Sequence, residues 1–110
     1  MKLLLLPSKN KKMLIRIVKL TISPEKIEDF KSIYESHMEL IKGFEGCEKL
    51  ELLQEKGRYY NVVMTYSHWK SEENLAAYRD SELFLKVWKT VKPLFCAKPE
   101  AWSMERKFEL

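Results

Sequence analysis

Residues 66–88 read YSHWKSEENLAAYRDSELFLKVW, and this segment decides how the rest of the chain is interpreted. An apolar strand runs up to Trp69, after which Ser71 is a good helix N-cap. The spacing of apolar residues then resets at Asp80-Ser81. We therefore predict a short helix, a kink, and a longer helix that is capped by Ser81. The large rings in this charged segment indicate helices that pack over a sheet.

The sequence upstream predicts a strand followed by a helix. Residues 13–22 are rich in β-branched and apolar side chains, which favours a strand. Ser23-Pro24-Glu25 follows, with Ser23 as the predicted N-cap and proline at the first helical position. Five apolar residues then recur at helical spacing on one face: Ile27, Phe30, Tyr34, Met38 and Ile41. Gly43 is the predicted end of this helix.

Three more strands complete the pattern. Residues 47–54 form the second predicted strand, residues 55–58 a turn, residues 59–68 the third strand and residues 101–108 the fourth. The order is β-α-β-β-α-β, which predicts a ferredoxin-like α+β fold with a four-stranded antiparallel sheet and both helices on one face. In the third strand, the even positions form an apolar stripe that we assign to the helix side. Leu53 and Val63 are assigned to the opposite face, where we expect a second copy to pack.

Composition limits the domain count and the classes of partner. The 110 residues suit one domain, which we place at residues 13–110. Residues 1–12 are interpreted as a flexible leader or a mis-assigned start, because Met13 begins the strand pattern. This leader holds four lysines and no acid, so the net charge of +4 falls to zero for residues 13–110. A neutral body argues against nucleic acid as a partner.

The sequence offers no targeting or cofactor motif. It has no apolar run of about 20 residues for a membrane span and no signal-peptide pattern, so we expect a cytoplasmic protein without membrane partners. Cys47 and Cys96 fit no metal-ligand spacing and are predicted to be reduced, packed thiols. Glycine-rich phosphate loops are also missing. An RNA-binding module has the same strand order, but Arg16 stands where such a module holds an aromatic residue.

The chain resembles the antibiotic biosynthesis monooxygenase (ABM) domain family of dimeric α+β barrels over residues 13–110. Three stretches carry the likeness: Ile15–Leu20 with Pro24-Glu25, Phe44–Cys47 leading into Leu50 and Leu52, and Trp69–Glu72 followed by Tyr78, Ser81, Phe84 and Trp88. The resemblance implies a homodimer and a small aromatic partner. It also implies a monooxygenase that acts on a quinol, a phenol or a polyketide-like ring without a cofactor.

One branch of that family degrades heme with an Asn, a Trp and an iron-binding His. The corresponding positions here are Val18, Tyr78 and Trp88, and all three depart from the branch pattern. An indole nitrogen only donates hydrogen bonds, so Trp88 cannot ligate iron. The resemblance therefore does not imply heme degradation by that mechanism, although a heme pocket with another ligand stays open. No metal site is predicted.

A cofactor-independent oxygenase needs a proton acceptor and an aromatic pocket. His37 and His68 are the candidate catalytic bases, because imidazole titrates near neutral pH. Arg16 is a candidate anchor for a carboxylate or an oxyanion. The remaining candidate pocket residues are Val18, Tyr60, Tyr66, Tyr78, Trp88 and Trp102. Two alternatives stay open: a non-catalytic small-molecule-binding or stress-associated homodimer of the same fold, and a related isomerase.

Overall fold

The structure, a computed structural model, describes residues 13–110. The predictions for residues 1–12 lie outside this range. The strands are β1 (Leu14–Thr21), β2 (Cys47–Gln54), β3 (Val62–Trp69) and β4 (Glu100–Met104), and the helices are α1 (Ile27–Lys42), α2 (Glu72–Arg79) and α3 (Glu82–Val91). Short 3-10 turns at Pro24–Lys26 and Lys92–Leu94 precede α1 and follow α3. The predicted element order and fold class are confirmed.

The four strands form one antiparallel sheet in the order β2-β3-β1-β4. β2 and β4 are its edges, so the sheet of a single chain is open and forms no barrel by itself. The core lies between the helices and one face of this sheet, around Ile22, Phe30, Val63 and Trp69. Between residues 13 and 110, no helix has the length and apolar character needed to cross a membrane.

The predicted assignment of sheet faces is wrong for β3. Val63 pairs with Leu20 and Trp69 pairs with Leu14, and all four side chains are buried on the helix side. The odd positions of β3 therefore face the helices, and the even positions face away. Alternation identifies two faces of a strand but does not say which one the helices cover. Leu53 does lie on the face away from the helices, opposite Met64.

Two strand boundaries differ from the prediction. The third strand begins at Val62, because residues 58–61 form the turn that connects it to β2. Gln54 is the last residue of β2, and its side chain donates to the carbonyl of Tyr60 in that turn at 2.6 Å. The fourth strand ends at Met104, which pairs with Ile15 near the start of β1. Because β1 begins at Leu14, only one β1 residue precedes Ile15, and residues 105–110 have almost no partner in β1.

Two of the three predicted serine caps are confirmed. Ser71 Oγ accepts from the Asn74 N–H at 3.2 Å, and Ser81 Oγ accepts from the Phe84 N–H at 3.1 Å. Ser23 makes no side-chain cap, because a 3-10 turn leads into α1 and its own carbonyl accepts from the Lys26 N–H at 2.8 Å. The kink at Asp80-Ser81 separates α2 from α3 as predicted.

The cysteines differ in their surroundings. Both thiols are free, but only Cys47 is packed, whereas Cys96 is exposed. Burial is the main reason that the pKa of the Cys47 thiol is raised. Cys47 is therefore protonated and unreactive at neutral pH.

Candidate functional site

A cavity of about 390 Å³ lies between the helices and the covered face of the sheet. Its lining comes from three layers of the fold: the helix-facing residues of the sheet, the inner face of α1, and the α2–α3 pair. The main side chains around it are Arg16, Val18, Leu20, Tyr34, Leu50, Thr65, Ser67, Trp69, Tyr78, Arg79, Phe84 and Trp88. Its size and apolar walls suit a ligand of one or a few rings.

Aromatic rings form a continuous wall of this cavity. Trp69 and Tyr78 are stacked with centroids 5.0 Å apart, and the Phe84 ring meets Tyr78 edge-on at 5.2 Å. Phe84 and Trp88 are stacked at 5.9 Å. Trp69 is held in place by a 2.9 Å hydrogen bond from its Nε1–H to Ser67 Oγ. A flat ligand entering the cavity would therefore meet ring faces and ring edges whose positions are already set.

Two tyrosines, buried Tyr34 and half-buried Tyr78, belong to these walls. Tyr34 is only 6% exposed, and its hydroxyl has no hydrogen-bond partner among residues 13–110. Burial raises the pKa of Tyr34 and of Tyr78 well above the ordinary value, and the nearby Tyr78 and Cys47 add to the shift at Tyr34. Both hydroxyls are therefore protonated at neutral pH and can donate a hydrogen bond to a ligand.

Two guanidinium groups reach the same cavity from different elements. Arg16 lies on the helix-facing side of β1, and its Nη1 donates to Ser103 Oγ at 3.0 Å. Arg79 is the last residue of α2. The pKa of Arg16 is lowered, first by burial and then by the positive charge of Arg79. The cavity wall therefore carries two positive charges from different elements.

Neither of the two candidate bases, His37 and His68, is among the residues that line the cavity. His37 lies on the flank of α1, where its Nδ1 is 2.8 Å from the Ile33 carbonyl oxygen and 3.1 Å from Ser36 Oγ. His68 lies on the sheet face away from the helices, and its Nε2 is 3.1 Å from the Tyr66 hydroxyl oxygen. The pKa of His68 is lowered by burial and by nearby positive charges.

The predicted pocket residues divide into two sets. Arg16, Val18, Tyr78 and Trp88 line the cavity. Three aromatic residues do not: Tyr60, Tyr66 and Trp102. Tyr60 belongs to the β2–β3 turn and is exposed. The side chains of Tyr66 and Trp102 lie on the sheet face away from the helices, beside Ile17.

Sequence reasoning missed three cavity residues of interest: Tyr34, Trp69 and Arg79. The helical spacing places Tyr34 on the buried face of α1. It does not show whether the Tyr34 hydroxyl has a hydrogen-bond partner. Trp69 ends an apolar strand, and a buried indole N–H needs a nearby acceptor. The nearby Ser67 could therefore have indicated that the Trp69 side chain is buried. Arg79 stands at the end of the short predicted helix, and no local pattern in the sequence places it at the same cavity as Arg16.

The cavity does not fit a histidine-ligated heme. Among residues 13–110, those that line it include no His, Cys or Met, and the family position for the iron ligand is Trp88. An indole N–H cannot coordinate iron. The described residues also contain no group of three or more His, Cys, Asp or Glu arranged to hold a metal ion. We therefore derive no reaction step through heme.

Comparisons with solved structures agree with the fold. A conserved protein from Methanosarcina mazei Go1 superposes with a TM-score of 0.83 at 20% identity, covering 91% of this chain and 98% of that one. A proposed antibiotic biosynthesis monooxygenase from Nitrosomonas europaea superposes with a TM-score of 0.81 at 19% identity, covering 87% and 91%. Another from Caulobacter crescentus CB15 gives 0.81 at 16% identity, covering 92% and 95%. At these identities the likeness shows the fold alone.

The family is identified by comparison of the sequence. No curated protein matches the chain. A family model described as "Antibiotic biosynthesis monooxygenase" matches residues 13–90, a range that includes β1 and most of the cavity wall. This chain therefore belongs to the antibiotic biosynthesis monooxygenase family.

Proposed function

We propose that this protein is a monooxygenase-like enzyme that oxidises a small aromatic substrate without a bound cofactor. The substrate class is a quinol, a phenol or a polyketide-like ring. One observation carries the proposal: the cavity is apolar, partly enclosed and walled by the stacked rings of Trp69, Tyr78, Phe84 and Trp88. Such a cavity holds an electron-rich ring out of bulk water, which is the main task of the protein in this chemistry.

The electrons for the reaction come from the substrate. When a phenol becomes a quinone, a quinol becomes a hydroxyquinone, or an activated ring CH₂ such as that of anthrone becomes a carbonyl, four electrons leave the substrate and reduce one molecule of O₂. One oxygen atom enters the product, and the other leaves as water with two hydrogens taken from the substrate. The protein must favour the ionised, electron-rich form of the substrate. The positive charges of Arg16 and Arg79 at the cavity wall favour an anionic form of the substrate.

Oxygen uptake in a chelator-treated buffer tests this proposal directly. The substrates are anthrone, hydroquinone and naphthohydroquinone, without added flavin, heme or metal. We expect Trp88→Ala to lower kcat/KM about tenfold or more, because it removes one wall of the cavity. Leu85→Ala is the matched control, since Leu85 is an exposed residue on the same helix. His37→Ala and His68→Ala should keep their activity, because neither histidine reaches the cavity.

A second function, ligand binding without catalysis, is favoured by the absence of histidine from the described cavity lining. Both functions require the ring to bind, and only the first consumes oxygen. Quenching of tryptophan fluorescence by naphthohydroquinone without any oxygen uptake would support binding alone. The lack of uptake by the wild-type protein across the whole panel would refute the oxygenase proposal.

We also propose that the protein works as a homodimer. The sheet face away from the helices carries a broad apolar surface that the single chain leaves open: Ile15, Ile17, Leu53, Met64, Tyr66, Trp102 and Met104. Leu53, Trp102 and Met104 are 49%, 38% and 46% exposed. Contiguous exposed apolar surface of this kind favours association, and a second sheet can cover it with two-fold symmetry.

Light scattering after size-exclusion chromatography tests the dimer. Met104→Glu places a charge on the open face, and we expect the molar mass to fall from that of a dimer to that of a monomer. Leu40→Glu is the control, because Leu40 is exposed on α1, away from that face. A wild-type protein that is monomeric at micromolar concentration would contradict the dimer without affecting the oxygenase proposal.

A further inference from the structure

The two arginines at the cavity have no carboxylate partner in the protein. Among residues 13–110, no carboxylate lies within ion-pairing distance of Arg16 or Arg79. Residues 1–12 contain no Asp or Glu. The one hydrogen bond that the Arg16 side chain makes in the described chain goes to the neutral hydroxyl of Ser103. Two neighbouring cations without a carboxylate partner form a ready-made site for an anion.

The charge of the cavity limits the charge of this anion. Arg16 and Arg79 contribute two positive charges, and Glu100 is the one carboxylate among the described lining residues. One net positive charge remains, which complements a monoanion. An aromatic carboxylate carries one negative charge at neutral pH, whereas a phosphate monoester carries about 1.5 to 2. The charge balance therefore favours a carboxylate over a phosphate.

The Tyr34 hydroxyl is an independent sign of a ligand. Its oxygen is buried and has no hydrogen-bond partner among the described residues, and Tyr34 is one of the residues that line the cavity. A buried polar group of this kind is costly unless it bonds to something. Since the hydroxyl stays protonated at neutral pH, it is suited to donate to an oxygen atom of the ligand.

We infer that the natural ligand is an aromatic monoanion, namely a ring that carries a carboxylate for Arg16 and Arg79 and an oxygen atom for the Tyr34 hydroxyl. This inference rests on the proposed function in one respect: it places the ring in the same cavity. It adds what the proposed function leaves open, which is the charge of the substrate. The substrate class is thus a carboxylated phenol or quinol rather than a neutral one.

Anaerobic binding measurements on the full chain test this inference. The probes are 2,5-dihydroxybenzoate and its methyl ester, which have the same ring and hydroxyls but differ in charge. We expect the acid to bind about tenfold or more tightly than the ester, since charge-assisted hydrogen bonds are about twice as strong as neutral ones. Isothermal titration calorimetry gives both affinities, and 2-naphthyl phosphate against 2-naphthoate distinguishes a phosphate site from a carboxylate site.

Two variants test whether Arg79 causes the preference for the acid over the ester. Arg79→Gln should bring the acid-to-ester ratio close to one, whereas Arg79→Lys should keep part of it. Arg79 is exposed at the end of α2, so these variants should fold, and circular dichroism verifies it. Arg58→Gln is the matched control, because Arg58 lies in the β2–β3 turn, away from the cavity. Tyr34→Phe should weaken both probes about fivefold to tenfold and leave their ratio unchanged.

The inference would be overturned by no binding of the acid by the wild-type protein, by equal binding of acid and ester, or by an equal loss of both probes in Arg79→Gln. A stronger preference for 2-naphthyl phosphate than for 2-naphthoate would also overturn it. The outcome is separable from that of the proposed function, because no oxygen is present. Charge-dependent binding without aerobic oxygen uptake would refute only the oxygenase. Uptake with neutral quinols together with equal binding of acid and ester would refute only the charged substrate.

Discussion

Replacing Gly46 by alanine should strongly destabilise the protein, because two separate costs coincide there. Gly46 has φ of +92°, a conformation that residues with a Cβ rarely adopt. A Cβ built on Gly46 would also lie 2.4 Å from Cβ and Cγ of Asn74. The Asn74 Cβ is tied to the backbone of α2, so a rotamer change of Asn74 cannot remove the overlap. Either α2 or the chain at Gly46 must move.

The magnitude follows from a comparison with Gly57. Gly57 has φ of +113°, but a Cβ there would meet nothing within 4 Å. Gly57→Ala should therefore cost only the backbone strain, about 1–3 kcal/mol. Gly46→Ala should add about 1–3 kcal/mol for the steric overlap. The difference between the two variants is then about 2 kcal/mol, or roughly 8–16 °C in Tm for a domain of this size.

Urea and thermal denaturation followed by circular dichroism measure this difference. Gly43→Ala is a further control: Gly43 has φ of −80°, and its Cβ would lie 3.3 Å from the Glu39 carbonyl oxygen, so we expect a small change. If Gly46→Ala loses no more free energy of unfolding than Gly57→Ala, the reasoning about the contact between Gly46 and α2 is wrong. A shift of α2 should also impair binding in the cavity, because α2 carries Tyr78 and Arg79.

Three further predictions concern stability. Ser81→Ala should lower the free energy of unfolding by about 1 kcal/mol, since Ser81 caps α3. Ser23→Ala should be close to neutral, because Ser23 makes no side-chain cap, and urea denaturation compares the two variants. His68 has a lowered pKa in the folded state, so the unfolded chain binds its proton more tightly. Stability should therefore fall as the pH drops below the unfolded value of about 6.5, and His68→Gln should remove part of this loss in urea titrations at pH 7.5 and 5. Phe30→Ala should cost about 3–5 kcal/mol, because the ring is 1% exposed, whereas Phe108→Ala, at a position that is 94% exposed, should leave Tm unchanged.

The sequence determined the elements and their order because local rules act within a few residues. Helical spacing identified the buried face of α1, and the reset of that spacing identified the boundary between α2 and α3. Where the sequence prediction missed a boundary, the cause lay in a distant segment. The end of β4 depends on how much of β1 is available to pair with, and the start of β3 depends on the turn that follows β2.

The candidate site could be predicted only in part. Arg16, Val18, Tyr78 and Trp88 were predicted as pocket residues and line the cavity, and the resemblance to the family supplied three of these four positions. His68, Tyr66 and Trp102 were predicted as site residues, but their side chains lie on the sheet face away from the helices. The difference has one cause: a strand presents alternate residues to both faces, and its sequence does not say which face the helices cover.

The sequence by itself determined the fold class, the helix that begins at Ser71, the kink at Ser81 and the family. Only the tertiary structure decided which sheet face encloses the cavity, that Arg16 and Arg79 line the same cavity, and that the Tyr34 hydroxyl is left without a partner among the described residues. The physical reason is that these features depend on side chains from β1, α1 and α2, which are distant in sequence. Their meeting depends on strand register and helix docking, and neither is encoded in the local spacing of residues around any one of them.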